Sequence, residues 1–83
     1  MRFEYFDPKA KKVSVAGTFN DWDMHGHAMI RDASGKWSLQ LDLPPGRYEY
    51  RYFVDGTWMN EQRPAEYCYN QFGSTNCVMT LLE

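Results

Sequence analysis

The sequence predicts an all-β fold, an antiparallel β-sandwich of about seven to eight short strands. Apolar and polar residues alternate with period two, and turn signals recur at close spacing. No stretch of useful length carries helical periodicity. Eighty-three residues predict a single domain, 1–83, with one core. A chain this small buries only about 60% of its unfolded surface.

Strand-like segments fall at 2–6, 12–18, 28–31, 36–43, 47–54, 57–60, 66–69 and 76–82. Asp7-Pro8, Asn20-Asp21, Ser34-Gly35, Pro44-Pro45-Gly46, Asp55-Gly56 and Phe72-Gly73 separate them. Alternation places Val13, Val15 and Gly17 on one face of the second segment. In the fourth, Trp37, Leu39, Leu41 and Leu43 oppose Ser38, Gln40 and Asp42, as expected of a strand covering one side of a sandwich. In the fifth, Tyr48, Tyr50, Tyr52 and Val54 share the core face, and Glu49, Arg51 and Phe53 share the outer one. Asp55-Gly56 between two β-rich runs signals a type I′ hairpin, which turns Trp58 back toward the preceding strand. Trp22 and Trp58 stand among Asn, Asp, Gly and Thr, surroundings that core packing explains poorly. Two such indoles predict a stacking surface.

The net charge of −2 is close to balanced, so neither nucleic acid nor a membrane surface is implied as a partner. The cluster of Lys9, Lys11 and Lys12 falls in a turn and reads as a solvated loop. No apolar run approaches the roughly 18 residues of a membrane span. Strand-like alternation begins almost at Met1, which leaves no room for a signal peptide. The expectation is a cytoplasmic protein, complete as a domain. Counting outward from Phe72-Gly73 places Cys68 opposite Cys77 in a hairpin, within reach of a disulfide, although reduced thiols are the expected state. Segments 2–6 and 76–82 are expected as open sheet edges, and a monomer or a weak edge-paired homodimer is the expected state.

Three runs carry a family resemblance: Gly17-Thr-Phe-Asn-Asp-Trp22, the stretch from Asp42 through Pro44-Pro45-Gly46 to Asp55-Gly56-Thr57-Trp58, and Asn70-Gln-Phe-Gly-Ser-Thr-Asn76. In that order they resemble the glycogen-binding domain of the AMP-activated protein kinase beta subunit. More broadly, the chain is similar to carbohydrate-binding modules of family 48, the early-set, immunoglobulin-like sandwich that precedes the catalytic domain of isoamylases and branching enzymes. The resemblance implies that Trp22 and Trp58 stack on glucose units of an α-1,4-glucan and that Arg51 contacts sugar hydroxyls. It also implies that Phe72 reaches into the curve of the glucan, with Ser74 and Asn76 as polar contacts. Arg51, Phe72 and Ser74 stand where the kinase subunit has Lys, Leu and Thr.

The chemistry fits those residue types. Glucose has apolar C–H faces and a rim of hydroxyls, so stacking on indole removes apolar area from water at roughly 25 cal/mol per Å². Planar Asn and Arg groups pair with vicinal hydroxyls. Tryptophans inclined to each other, with Phe72 between them, would suit a curved α-glucan better than flat cellulose. Four of the candidate residues also admit a structural duty: Trp22 closing its turn, Arg51 pairing with Glu49, Phe72 as a self-association contact, and Asn76 serving the turn backbone.

Other chemistries find little support. Glycoside hydrolysis needs two carboxyl groups about 5 to 10 Å apart across a cleft, whereas Asp21, Asp23, Asp55 and Glu61 are all expected in exposed turns. His25-Gly26-His27 with Asp23 reads as a flexible loop rather than a metal site. No cofactor is implied. The function expected is non-catalytic binding of α-1,4-linked glucan. The alternative is a regulatory module that docks on a glucan-metabolising enzyme or a protein kinase.

Overall fold

The computed structural model describes residues 1–62 and 65–82. Its strands are β1 (Arg2–Phe6), β2 (Val13–Gly17), β3 (Ile30–Arg31), β4 (Lys36–Gln40), β5 (Gly46–Val54), β6 (Thr57–Met59), β7 (Glu66–Tyr69) and β8 (Thr75–Leu81). They form two antiparallel sheets, one ordered β1-β4-β3 and one ordered β2-β5-β8-β7 with β6 also on β5. The all-β sandwich expected from the alternation is the fold observed. Among the described residues no helix is long and apolar enough to cross a membrane.

The long strand β5 organises the five-stranded sheet. Tyr50 pairs with Gly17 of β2 and with Cys77 of β8, so these two strands flank β5 on opposite edges. Residues 52–54 then pair with β6, which continues the β8 side. The period-two pattern settles the faces: Tyr50 and Tyr52 are buried, while Arg51 and Phe53 lie on the outer face. Across the core, Phe3 of β1 meets Tyr50 edge-on at 5.3 Å, and Tyr5 meets Tyr52 at 5.0 Å. Ala10, Val13, Val15, Met29, Trp37, Val54 and Cys77 complete the core, with Met1, Phe19, Leu39, Leu41, Leu43 and Met79 packed against it. Tyr48, expected in the core with them, is only half-buried.

Asp55 and Gly56 both have positive φ, 47° and 87°, as a type I′ turn requires. The Asp55 carboxylate also accepts the backbone N–H groups of Lys11 and Lys12 at 2.8 to 3.1 Å, which ties the hairpin to the start of β2.

Several expectations need correction. The segment expected at 28–31 changes sheets midway. Met29 N donates to Val13 O at 2.8 Å and the His27 carbonyl accepts from Val15 N at 3.1 Å, so 27–29 covers the free edge of β2 before the chain enters β3. The strand expected at 36–43 ends at Gln40, short of Pro44-Pro45. Cys68 and Cys77 are not opposed: Cys68 faces Asn76, and Tyr67 faces Cys77. The hairpin has an odd number of loop residues, closed by Asn70 N to Ser74 O with Gly73 at φ 82°. That shifts the register by one and sends the two thiols to opposite faces. Both are free, Cys77 wholly buried in the core and Cys68 on the outer face.

The segment expected as an edge at 76–82 is interior, because β7 pairs with β8. The edge at β1 is partly covered: the Gln62 side-chain amide accepts from Phe6 N and donates to Phe6 O, both at 2.8 Å. Glu61, expected in an exposed turn, is 8% exposed and accepts from the Tyr50 and Tyr52 hydroxyls at 2.9 and 3.0 Å. A tyrosine-lined interior gives a carboxylate the donors that burial demands, a partnership that alternation alone does not reveal.

Candidate functional site

The outer face of the five-stranded sheet gathers every binding residue expected from the sequence. Trp22 reaches it from the loop after β2. Asp21 and Trp22 both lie in the left-handed region, at φ 54° and 58°, a conformation that L-residues adopt at a penalty of about 1 to 2 kcal/mol each. The loop is held in that shape from below. Trp22 N and Asn20 N both donate to the Gly17 carbonyl, at 2.9 and 3.1 Å. The Asn20 carboxamide oxygen accepts from Gly17 N at 3.0 Å, and its amide nitrogen is 2.8 Å from His27 Nδ1. Gly17 itself is dictated by close approach, since a Cβ there would fall on the Glu49 carbonyl oxygen.

Trp58 lies within β6, directly opposite Phe53 of β5. Its ring is 4.8 Å from that of Phe53, and its other neighbour is Trp22, at 6.3 Å with 76° between the planes. The tryptophans are therefore inclined, as expected for a curved ligand, but they touch, which leaves no room for Phe72 between them. Arg51, one step along the outer face, donates from Nε to the Asn60 carboxamide oxygen at 3.0 Å, and Asn60 donates on to Thr75 at 3.0 Å. Glu49 does not take Arg51 as partner. Its carboxylate binds Arg47 at 3.0 Å and accepts from Cys68 Sγ at 3.0 Å and Asn76 Nδ2 at 3.2 Å. The Cys68 hydrogen bond, followed by those of Asn76 and Arg47, holds the Glu49 carboxyl below the usual carboxylate range. The same contact pushes the Cys68 thiol up.

The β7–β8 hairpin closes the other side. Asn70 organises it: its carboxamide oxygen accepts from Phe72 N and Ser74 N at 2.9 and 3.2 Å. Its amide donates to Ser74 Oγ at 2.8 Å and to the Asn76 side-chain oxygen at 3.1 Å. Phe72 stands at the tip, 83% exposed. Asn76 is 6% exposed and bonded to side chains, not to the turn backbone that was the alternative reading of it.

These elements enclose an open groove of about 760 Å³ lined by Trp22, Arg51, Trp58, Phe72, Ser74 and Asn76, together with Thr18, Glu49, Tyr69, Asn70 and Gln71. The positioning duties of Asn20, Asn60 and Asn70 escaped sequence reasoning. Asn20 and Asn70 each open a turn inside a run already singled out, where an Asn side chain closes the local backbone. Asn60 carried no local signal, because its partner Arg51 is nine residues away.

Residues 1–83 match the family described as the glycogen recognition site of AMP-activated protein kinase. The chain belongs to that family. Relatives of its sequence include Protein FLOURY ENDOSPERM 6, chloroplastic, of Oryza sativa subsp. japonica, 36% identical over 87% of this chain and 13% of the rice protein. The 1,4-alpha-glucan branching enzyme GlgB of Cellvibrio japonicus is 32% identical over 94% of this chain and 11% of the enzyme. GlgB of Bordetella pertussis is 45% identical over 60% of this chain and 7% of the enzyme. The chain thus spans only a small part of the length of these relatives. Among the described residues no group of three His, Cys, Asp or Glu side chains stands where it would hold a metal ion. Asp23 accepts from His25 N, and His27 is engaged by Asn20.

Proposed function

We propose that this member of the glycogen-recognition family binds α-1,4-linked glucan without catalysis, in the groove between Trp22, Trp58 and the β7–β8 hairpin. The carrying observation is the 76° edge contact of the two indoles beside Arg51 and Asn76. Two faces at that angle cannot both lie flat on a planar cellulose ribbon, whereas successive sugars of an α-1,4 chain turn relative to one another. Arg51 lines the groove with its Nε anchored by Asn60, and a guanidinium held in this way offers planar paired donors to vicinal hydroxyls. Glu49 is the one carboxylate among the described groove residues, and its Cys68, Asn76 and Arg47 partners hold its carboxyl below the usual range, whereas glycoside hydrolysis uses a pair of carboxyl groups, one of them with a raised pKa.

An open groove with two stacked sugars binds weakly, with a Kd on the order of 10 µM to 1 mM. The test is tryptophan fluorescence and calorimetric titration with maltoheptaose and β-cyclodextrin, with cellohexaose as the flat control. Saturable binding of the α-glucans that disappears in Trp58→Ala, with the fold intact, supports the reading. No heat or spectral change up to about 10 mM, a limit near −3 kcal/mol, overturns it.

Docking on a glucan-metabolising enzyme or a protein kinase is a second reading. It draws on the outer side of the other sheet, where Phe6 is 54% and Ile30 74% exposed. That side faces away from the groove, so the two readings are separable by surface substitution.

A further inference from the structure

We propose that the aromatic corner continues into a second sugar-binding subsite, formed by Phe53, Met24 and His25, which takes the glucose units that follow those held at Trp22 and Trp58. The inference rests on the glucan-binding reading of the groove. Four rings form an unbroken row on one face of the sheet. Trp22 touches Trp58, and Trp58 touches Phe53. Phe53 in turn meets His25 edge-on, with ring centroids 6.2 Å apart and 87° between the planes. The far end of the row opens into a separate concavity of about 920 Å³, lined by Lys11, Lys12 and Asp55 together with the apolar Val13, Met29 and Trp37.

The two histidines of the loop have opposite duties. His27 is half-buried and turned to Asn20, where it braces the Trp22 loop. His25 is exposed, and the backbone that carries it is fixed: its N–H donates to Asp23 Oδ1 at 3.0 Å, and the neighbouring Met24 carbonyl accepts from Ser14 Oγ. A loop anchored by its backbone, with an imidazole and a thioether left in water beside a half-buried phenyl ring, presents apolar area without the mobility that would oppose binding. Lys11 and Lys12 supply hydroxyl partners. Asp55 spends its carboxylate oxygens on the backbone of Lys11 and Lys12. The two ammonium groups make no ion pair among the described residues. The continuity of the row with the Trp22–Trp58 corner favours the same glucan chain as occupant over an unrelated ligand.

The experiment is calorimetric titration of the full chain with maltotriose, maltoheptaose and maltodecaose, for wild type, for the His25→Ala/Met24→Ala double variant and for His25→Trp. Neither His25 nor Met24 lines the groove at the corner. The subsite predicts that wild type gains affinity from maltotriose to maltodecaose and that the double variant loses about fivefold for maltodecaose alone. His25→Trp, a larger stacking face, should raise maltodecaose affinity by about threefold. Circular dichroism checks that the variants fold. A chain-length gain that survives unchanged in both variants overturns the subsite and leaves the groove reading standing. A wild type that binds none of the three sugars overturns the groove reading and the subsite together.

Discussion

The two walls of the groove are built by opposite means. The tryptophan wall is rigid and strained: Trp22 sits at φ 58°, braced by Asn20, His27 and the Gly17 carbonyl, and leans on Trp58, which is itself fixed in a strand. The hairpin wall is unstrained at its working residue: Phe72 projects from a tip that Asn70 alone organises, and its ring lies almost wholly in water. Strain over-determined by its surroundings marks a position kept for geometry, whereas an exposed tip ring adapts to its ligand and then loses rotamer freedom on binding. The first wall should therefore carry most of the affinity and the second should adjust the fit.

The sharpest break in this comparison is replacement of Trp22. Stacking that covers about 80 Å² of apolar area is worth about 2 kcal/mol, so Trp22→Ala should weaken maltoheptaose binding roughly thirtyfold. Trp22→Gly should bind equally poorly yet unfold about 1 kcal/mol less readily than Trp22→Ala, because glycine accepts the left-handed backbone. Chemical denaturation of the pair checks this, and equal stabilities would remove strain from the account.

Asn20→Ala leaves the Gly17 N–H without its side-chain acceptor and releases His27. The expected loss is about 1 to 2 kcal/mol of stability. Glucan affinity should fall about fivefold with it, since Trp22 is no longer held. Loss of stability with full affinity would show that the loop need not be braced.

At the hairpin tip, Phe72→Ala should reduce affinity only about fivefold, from roughly half the stacked area, and leave the melting temperature unchanged. An effect as large as that of Trp22→Ala would reverse the ranking of the two walls.

The smallest effect expected is that of acid. Hydrogen bonds from Cys68, Asn76 and Arg47 depress the Glu49 carboxyl, so the unfolded chain takes up this proton at a higher pH than the folded one. The stabilisation is complete above the unfolded value, about 4.3, and is lost as pH falls through the lower folded value. Thermal melts of wild type and Glu49→Gln should differ by a constant amount near neutrality and converge in acid. A difference that persists below that range would mean that the carboxylate charge plays no part.

Much of the fold was legible because it depends on period-two alternation and on turn chemistry, both local. The runs around Tyr50 and Trp37 announce which side is buried, and Asp55-Gly56 announces its own turn. The candidate residues Trp22, Arg51, Trp58, Phe72, Ser74 and Asn76 were legible in the motifs, and the structure brings them to a single groove. The props beneath them were not, since Asn60 meets Arg51, and His27 meets Asn20, only after the strands have paired.

By itself the sequence determined the fold class, the family and the residue types available to a ligand, because burial pattern, turn preference and motif order are properties of neighbouring residues. Tertiary structure alone decided the 76° angle between the indoles, the burial of Glu61 among tyrosines and the separation of Cys68 from Cys77. The last depends on register, since a shift of one residue in a strand pair turns every side chain to the other face, and the first two depend on loop residues meeting strands that are distant in sequence.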